Sequence, residues 1–112
     1  MSSLLHELCR LTATEAVLRL RRGEITPLDL IDAAEQRILA VEPALNALPT
    51  LCLERARAHA RRLMRREGCE AEGEPGWLAG LPVAIKDLAD VAFVRTTYGS
   101  PIFRSCCAPT AI

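Results

Sequence analysis

The chain has 112 residues, half of them hydrophobic, and its 14 basic and 14 acidic side chains leave no formal net charge. This length allows one domain with a modest core, and the balanced charge argues against a nucleic acid or an anionic membrane as partner. The start of the chain lacks the pattern of a secretory signal, and no apolar run approaches the ~20 residues of a membrane-spanning helix. A cytoplasmic protein is therefore expected.

The first predicted helix follows Thr12. The sequence Thr-Ala-Thr-Glu from Thr12 to Glu15 fits a capping box, in which the two side chains satisfy free backbone N–H groups. Apolar residues then recur at helical spacing, and Gly23 is a natural terminator. This segment is interpreted as scaffold.

A second helix is predicted to begin after Thr26, with Pro27 at its first position and Asp29 in its first turn. Pro43 is predicted to end this helix after Glu42. Two helices joined by a short turn are compatible with a DNA-binding helix-turn-helix. The second helix, however, lacks a basic or amide-rich N-terminal face, which disfavours that function.

A third helix is predicted over 53–67, after an extended connector at 46–51 that Pro49 interrupts. Its apolar face includes Leu53, Ala60 and Leu63. Arginines cover the remainder and are interpreted as a solvated face: Arg55, Arg57, Arg61, Arg62, Arg65 and Arg66. His59 is expected at the surface, because no second ligand residue stands at helical spacing from it.

The cysteines give no sign of a metal centre or a disulfide framework. Their number is odd and no C-x-x-C spacing occurs, so they are interpreted as structural or incidental. The five are Cys9, Cys52, Cys69, Cys106 and Cys107. No metal or cofactor is expected. Residues 68–76 are rich in Gly, Glu and Pro and predict a linker to the final part of the chain.

The residue of greatest chemical interest is Lys86, the only lysine of the chain. It follows Val83-Ala-Ile85, a short apolar run that predicts a strand buried on both faces. A second short strand is predicted over 90–94. A lysine enclosed in apolar surroundings loses its proton more readily than arginine and can act as a base. The alternative is a lysine whose stem packs while its amine reaches water.

The sequence Gly-Leu-Pro-Val-Ala-Ile-Lys-Asp at 80–87, followed by Thr-Thr-Tyr-Gly-Ser at 96–100, resembles the signature of the amidase signature family. The combined pattern covers about a quarter of the chain. The resemblance implies an α/β fold, with N-terminal helices and the first strands of a mixed sheet. It also implies hydrolysis of carboxamide C–N bonds by a serine–cis-serine–lysine triad, in which Lys86 is the catalytic lysine. Thr97, Gly99 and Ser100 are then candidates for lining the substrate site.

The same resemblance leaves the triad incomplete. The family's two serines lie in a Gly-Ser-Ser-Gly-Gly run downstream of the lysine, and the chain contains no such run. Phe93 stands where the family usually has glycine, and residues 104–112 differ from the expected continuation. A truncated or frame-disrupted amidase domain, inactive by itself, is therefore expected. Its divisions are a helical part over about 1–67, the linker 68–76, the strand and turn motif 77–103 and the atypical tail.

Two further expectations concern partners and a rival function. The resemblance implies a small-molecule amide substrate for the complete protein, and either a homodimer or amidotransferase partner subunits. The rival is a non-enzymatic helical module whose apolar faces bind a partner chain. Nitrilase-type chemistry is disfavoured because no motif places a cysteine near Lys86.

Overall fold

A computed structural model describes residues 3–65 and 74–105. These residues form four α-helices, namely α1 (Ser3–Leu8), α2 (Ala13–Arg21), α3 (Pro27–Leu45) and α4 (Leu53–Arg65), and a short 3₁₀ helix at Pro101–Phe103. The chain divides into two compact units, Met1–Pro82 and Val83–Ile112. Within the described residues, no helix is both long and apolar enough to cross a bilayer.

The starts of α2 and α3 confirm the predicted capping signals. The hydroxyl of Thr12 accepts a hydrogen bond from the Glu15 N–H, and the Glu15 carboxylate accepts one from the Thr12 N–H. Thr26 and Asp29 form the same reciprocal pair at α3. Because such caps depend only on neighbouring residues, the sequence alone locates them well.

The predicted end of α3 was wrong. The helix continues through Pro43 to Leu45 and ends at Asn46, which is left-handed (φ 51°) and donates its N–H to the Glu42 carbonyl at 2.7 Å. Proline removes only one hydrogen bond here, since its missing N–H would reach the carbonyl of Leu39 on an exposed part of the helix. The free energy lost with that one hydrogen bond is small enough for the last turn of the helix to form.

The core of the first unit lies between α1, α2 and α3. It centres on Leu8, Ala16, Leu30 and Ala33, with Leu81 packed against it. Helical spacing alone predicts an apolar stripe on α3 that lacks Leu30 and Ala33, namely Leu28, Ile31, Ala34, Ile38 and Val41. Helix α1 was not predicted at all. The stripe was incomplete because α3 contacts both α1 and α4, so apolar residues cover more than one of its faces.

Arg57 of α4 departs from the predicted solvated face, and Arg55 is half-buried as well. The Arg57 side chain is only 14% exposed, and its guanidinium pairs with Glu35, with Asp32 at 3.1 Å and with Glu54 at 3.3 Å. The hydrogen bonds to Glu35 and Asp32 raise the pKa of Arg57 further above its usual range. Arg57 therefore joins α4 to α3, whereas Arg61, Arg62, Arg65 and His59 are exposed as predicted.

The glycine that opens the 80–87 motif packs closely on the start of α3. A Cβ built on Gly80 would lie 2.4 Å from Pro27 Cγ and 3.1 Å from Leu63 Cδ2, and its φ of +98° disfavours other residues. Glycine is therefore required here both by space and by backbone conformation. Trp77, just before it, accepts a hydrogen bond from the Arg21 guanidinium through its carbonyl.

Candidate functional site

The candidate site lies in the second unit and begins with the segment that carries Lys86. Residues 83–86 form no strand in the structure, and Val83 and Ile85 are 62% and 57% exposed. The Lys86 side chain is exposed as well. The predicted strand over this segment, and its burial on both faces, are therefore not confirmed in this chain. A strand buried on both faces needs neighbouring strands and covering layers, and the part of the chain that the structure describes supplies neither.

The backbone of Lys86 is held although its side chain is exposed. The carbonyl of Lys86 accepts a hydrogen bond from the Ala89 N–H at 2.9 Å and so closes a tight turn over 86–89. No hydrogen bond or ion pair joins the amine of Lys86 to another residue within 3–65 or 74–105.

Asp87 connects this turn to the second half of the motif. Its carboxylate accepts hydrogen bonds from the Thr97 N–H at 2.8 Å, from the Thr97 hydroxyl and from the Gly99 N–H at 3.1 Å. The Thr97 hydroxyl, the Thr97 N–H, the Gly99 N–H and the charge of Arg95, in that order, lower the pKa of Asp87. Asp87 is therefore a carboxylate anchor for the 97–100 turn.

The turn itself has the conformation that its sequence suggests. The Ser100 N–H donates to the Thr97 carbonyl at 2.9 Å, and both central residues have positive φ, 51° for Tyr98 and 70° for Gly99. Two positive φ angles are typical of a type I′ turn, in which glycine is favoured. Gly99 adopts its positive φ without strain, whereas Tyr98 carries backbone strain at its own positive φ.

Ser100 and Tyr98 connect the turn to its surroundings. The Ser100 hydroxyl accepts a hydrogen bond from the Ile102 N–H at 3.3 Å and caps the 3₁₀ helix. The ring of Tyr98 packs edge to face on Phe103, with centroids 5.3 Å apart, and its hydroxyl donates to Asp90. Ser100 therefore acts as a cap in this arrangement.

The predicted second strand over 90–94 is a turn in the structure. The Val94 N–H donates to the Val91 carbonyl at 3.0 Å, and Phe93, the third residue of this turn, has a φ of 61°. A type II turn needs a positive φ at this position, which explains why glycine suits it. The sequence alone did not reveal this conformation, because Phe93 is a residue of high strand propensity.

Two of the predicted site residues, Thr97 and Gly99, are thus hydrogen-bonded to the same carboxylate, and the third, Ser100, has a capping role. Thr97 and Gly99 are joined to the residue that follows Lys86, while Ser100 caps the next helix. Asp87 was not among the predicted site residues. The signal for it was the short spacing between a carboxylate and a turn rich in N–H and hydroxyl donors.

The described residues contain no group of three or more His, Cys, Asp or Glu side chains arranged to hold a metal ion. Cys9 donates its thiol to the Ala33 carbonyl at 3.3 Å, and Cys52 is an exposed free thiol. Outside the described residues lie the other three cysteines, Arg66 of the predicted solvated face, residues 68–73 of the predicted 68–76 linker and residues 106–112 of the predicted 104–112 tail.

Comparisons with known proteins give the chain its relatives. The family model described as Amidase matches residues 29–111. The chain is 41% identical over 103 residues to the A subunit of glutamyl-tRNA(Gln) amidotransferase from Roseiflexus sp. (strain RS-1), a match that covers 92% of this chain and 20% of that protein. The protein of the same name from Carboxydothermus hydrogenoformans is 38% identical over 104 residues, 92% of this chain and 21% of its own length.

A third relative, the A subunit of glutamyl-tRNA(Gln) amidotransferase from Anaeromyxobacter dehalogenans, is 38% identical over 97% of this chain and 22% of its own. The chain therefore spans about a fifth of the length of these relatives. No solved structure matches it. The matched residues include the whole 80–87 and 96–100 motif, together with α4 and all of α3 after its first two residues. The chain belongs to the amidase signature family.

Proposed function

We propose that this chain supplies the lysine of a serine–cis-serine–lysine triad that hydrolyses carboxamide C–N bonds. The observation that carries the proposal is the connection between the two halves of the motif. Asp87, next to Lys86, holds the Thr97–Gly99 segment through three hydrogen bonds. Two motif segments ten residues apart thus form one structural unit around a single candidate base.

The proposed chemistry starts from a neutral lysine. Lys86 accepts a proton from the cis-serine as that serine takes the proton of the nucleophilic serine, whose oxygen attacks the amide carbon. Backbone N–H groups stabilise the resulting oxyanion, and the proton is returned to the leaving amine. Water then hydrolyses the acyl-enzyme. Because this chain has no Gly-Ser-Ser-Gly-Gly run, we expect it to be inactive by itself.

The exposed apolar residues of the second unit support an incomplete domain. Val83, Ile85, Leu88, Phe93 and Ile102 are all more than half exposed. We propose that in the complete protein the 83–85 segment becomes a strand of a mixed sheet, as its β-branched residues favour. Covering layers on both faces would then enclose the amine of Lys86 and favour its neutral form.

The relatives suggest a setting for the reaction. Their shared name describes one component of an amidotransferase that acts on glutamyl-tRNA(Gln). We propose a small carboxamide as substrate, amidotransferase partner subunits as the assembly and the cytoplasm as the compartment.

A chimera tests the proposed role of Lys86. In it, this chain replaces the matching fifth of the Roseiflexus relative, and ammonia release from a carboxamide is measured. We expect Lys86→Ala and Lys86→Arg to lower kcat/KM by at least about 10³-fold with unchanged folding, because arginine does not give up its proton. Exposed Arg61→Ala on α4 is the matched control. Near-normal turnover in either Lys86 variant would defeat the proposal.

A non-enzymatic helical module is the second candidate, and the exposed leucines of α3 favour it. Leu39 and Leu45 lie on the C-terminal half of that helix and are both largely exposed. A module that binds a partner chain through them should be a monomer that melts cooperatively. Aggregation of the purified chain, or binding of a dye that reports exposed apolar surface, favours the incomplete hydrolase instead.

A further inference from the structure

We propose that Asp87 is a positioning residue for Lys86, and that it does this by holding the 86–89 turn and the 97–100 turn together. This inference rests on the proposed function, because it assigns Asp87 a part in the action of the same lysine. It goes beyond the triad, since Asp87 itself exchanges no proton and touches no substrate in this role.

Three hydrogen-bond donors meet at the Asp87 carboxylate. The Thr97 N–H lies 2.8 Å and the Gly99 N–H 3.1 Å from the Asp87 oxygens, and the Thr97 hydroxyl donates as well. Two of the three donors are backbone groups, so they fix the path of the chain and not merely a side-chain rotamer. Hydrogen bonds to a charged acceptor are stronger than those between neutral groups.

Asp87 also has a fixed place in its own turn. The Lys86 carbonyl accepts the Ala89 N–H at 2.9 Å, so Asp87 is the first central residue of a turn that begins at Lys86. Its backbone is thus fixed on one side by this turn and its side chain on the other by the 97–100 turn. Because the Lys86 carbonyl and the Asp87 carboxylate are both hydrogen-bonded, the Lys86–Asp87 peptide has a defined position, and so does the Lys86 Cα that it joins.

Asp90, a second aspartate of the same segment, contacts the turn differently. Asp90 accepts a hydrogen bond from the Tyr98 hydroxyl, which is a side-chain group. Asp90 thus accepts a hydrogen bond from a side chain of the turn, whereas Asp87 accepts hydrogen bonds from two backbone N–H groups of the turn. Asp90 therefore provides a matched control of the same residue type, in the same unit, that contacts the same turn through a side chain.

Hydrogen exchange in the full 112-residue chain tests the positioning directly. Asp87→Asn keeps the size of the side chain but removes its charge and one acceptor oxygen. We expect the Thr97, Gly99 and Ala89 amides to exchange at least about tenfold faster in Asp87→Asn, and within about twofold of the parent chain in Asp90→Asn. The Ala89 amide is the decisive probe, because it reports the turn at Lys86 and does not bond to Asp87. Unchanged exchange at Ala89 overturns the proposal.

Turnover of the chimera separates this inference from the proposed function. We expect Asp87→Asn to lower kcat at least about tenfold with KM within about twofold, Asp87→Glu to recover part of the loss, and Asp90→Asn to stay near the parent. Full kcat in Asp87→Asn, with Lys86→Ala inactive, overturns the positioning role and leaves the lysine's role intact. Activity in Lys86→Ala instead overturns the proposed function, and the exchange at Ala89 then still decides whether Asp87 holds the turn.

Discussion

At the scale of single residues, the chain shows which motif positions are fixed by backbone conformation. Gly80 and Gly99 both have positive φ, and Gly80 has no room for a Cβ. Phe93 occupies a third positive-φ position, where its family resemblance implies glycine, and its side chain is 72% exposed. Positive φ, and at Gly80 the lack of space, explain why these motif positions are glycine. Phe93 adopts a positive φ with a bulky side chain, which destabilises its turn.

Replacing Phe93 by glycine should therefore stabilise the 91–94 turn. A bulky residue in the left-handed region costs about 1–2 kcal/mol, of which glycine's greater freedom in the unfolded chain offsets a part. We expect Phe93→Gly to slow hydrogen exchange of the Val94 amide by about two- to fivefold, equivalent to about 0.5–1 kcal/mol. Phe93→Ala removes the ring without relieving the backbone and is the control. Equal effects of the two substitutions would show that the ring, not φ, determines the stability of this turn.

At the scale of elements, local signals were predictable and distant contacts were not. The capping boxes at Thr12 and Thr26 involve residues three positions apart, so the sequence located both helix starts. Arg57, in contrast, pairs with Asp32 and Glu35 of another helix, 22 to 25 residues away, and no periodicity in α4 identifies it among the other arginines. Helix α1 has six residues, too few for a clear apolar period.

The contact between Gly80 and α3 gives a test at this scale. Gly80→Ala should destabilise the first unit by about 1–3 kcal/mol more than Gly76→Ala, because the added methyl meets the Pro27 ring. Gly76 is the matched control, since it has a similar φ of +86° and no atom within 4 Å of an added Cβ. Thermal unfolding followed by helical circular dichroism measures both. Equal losses would mean that backbone strain alone explains the requirement for glycine.

At the scale of the whole molecule, the sequence motif indicated which residues form the candidate site. It did not indicate whether those residues are buried or exposed. The motif identified Lys86, Thr97 and Gly99, and the structure adds the Asp87 carboxylate that connects them. The burial of Lys86 could not be judged from its neighbours along the chain, because burial of a strand on both faces depends on other strands and helices. The described residues form helices and turns, and the chain spans about a fifth of its relatives' length.

The proposed catalysis depends on a single amine, which is exposed in this chain and which we propose to be enclosed in the complete domain. The most direct measurement is the rate at which an acylating reagent modifies Lys86, followed by peptide mapping, which separates this amine from the α-amino group of Met1. We predict rapid modification in the isolated chain and at least about tenfold slower modification in the chimera, because an enclosed amine reacts only after local opening. Equal rates in the two proteins would contradict the enclosure of Lys86 and, with it, its role as a neutral base.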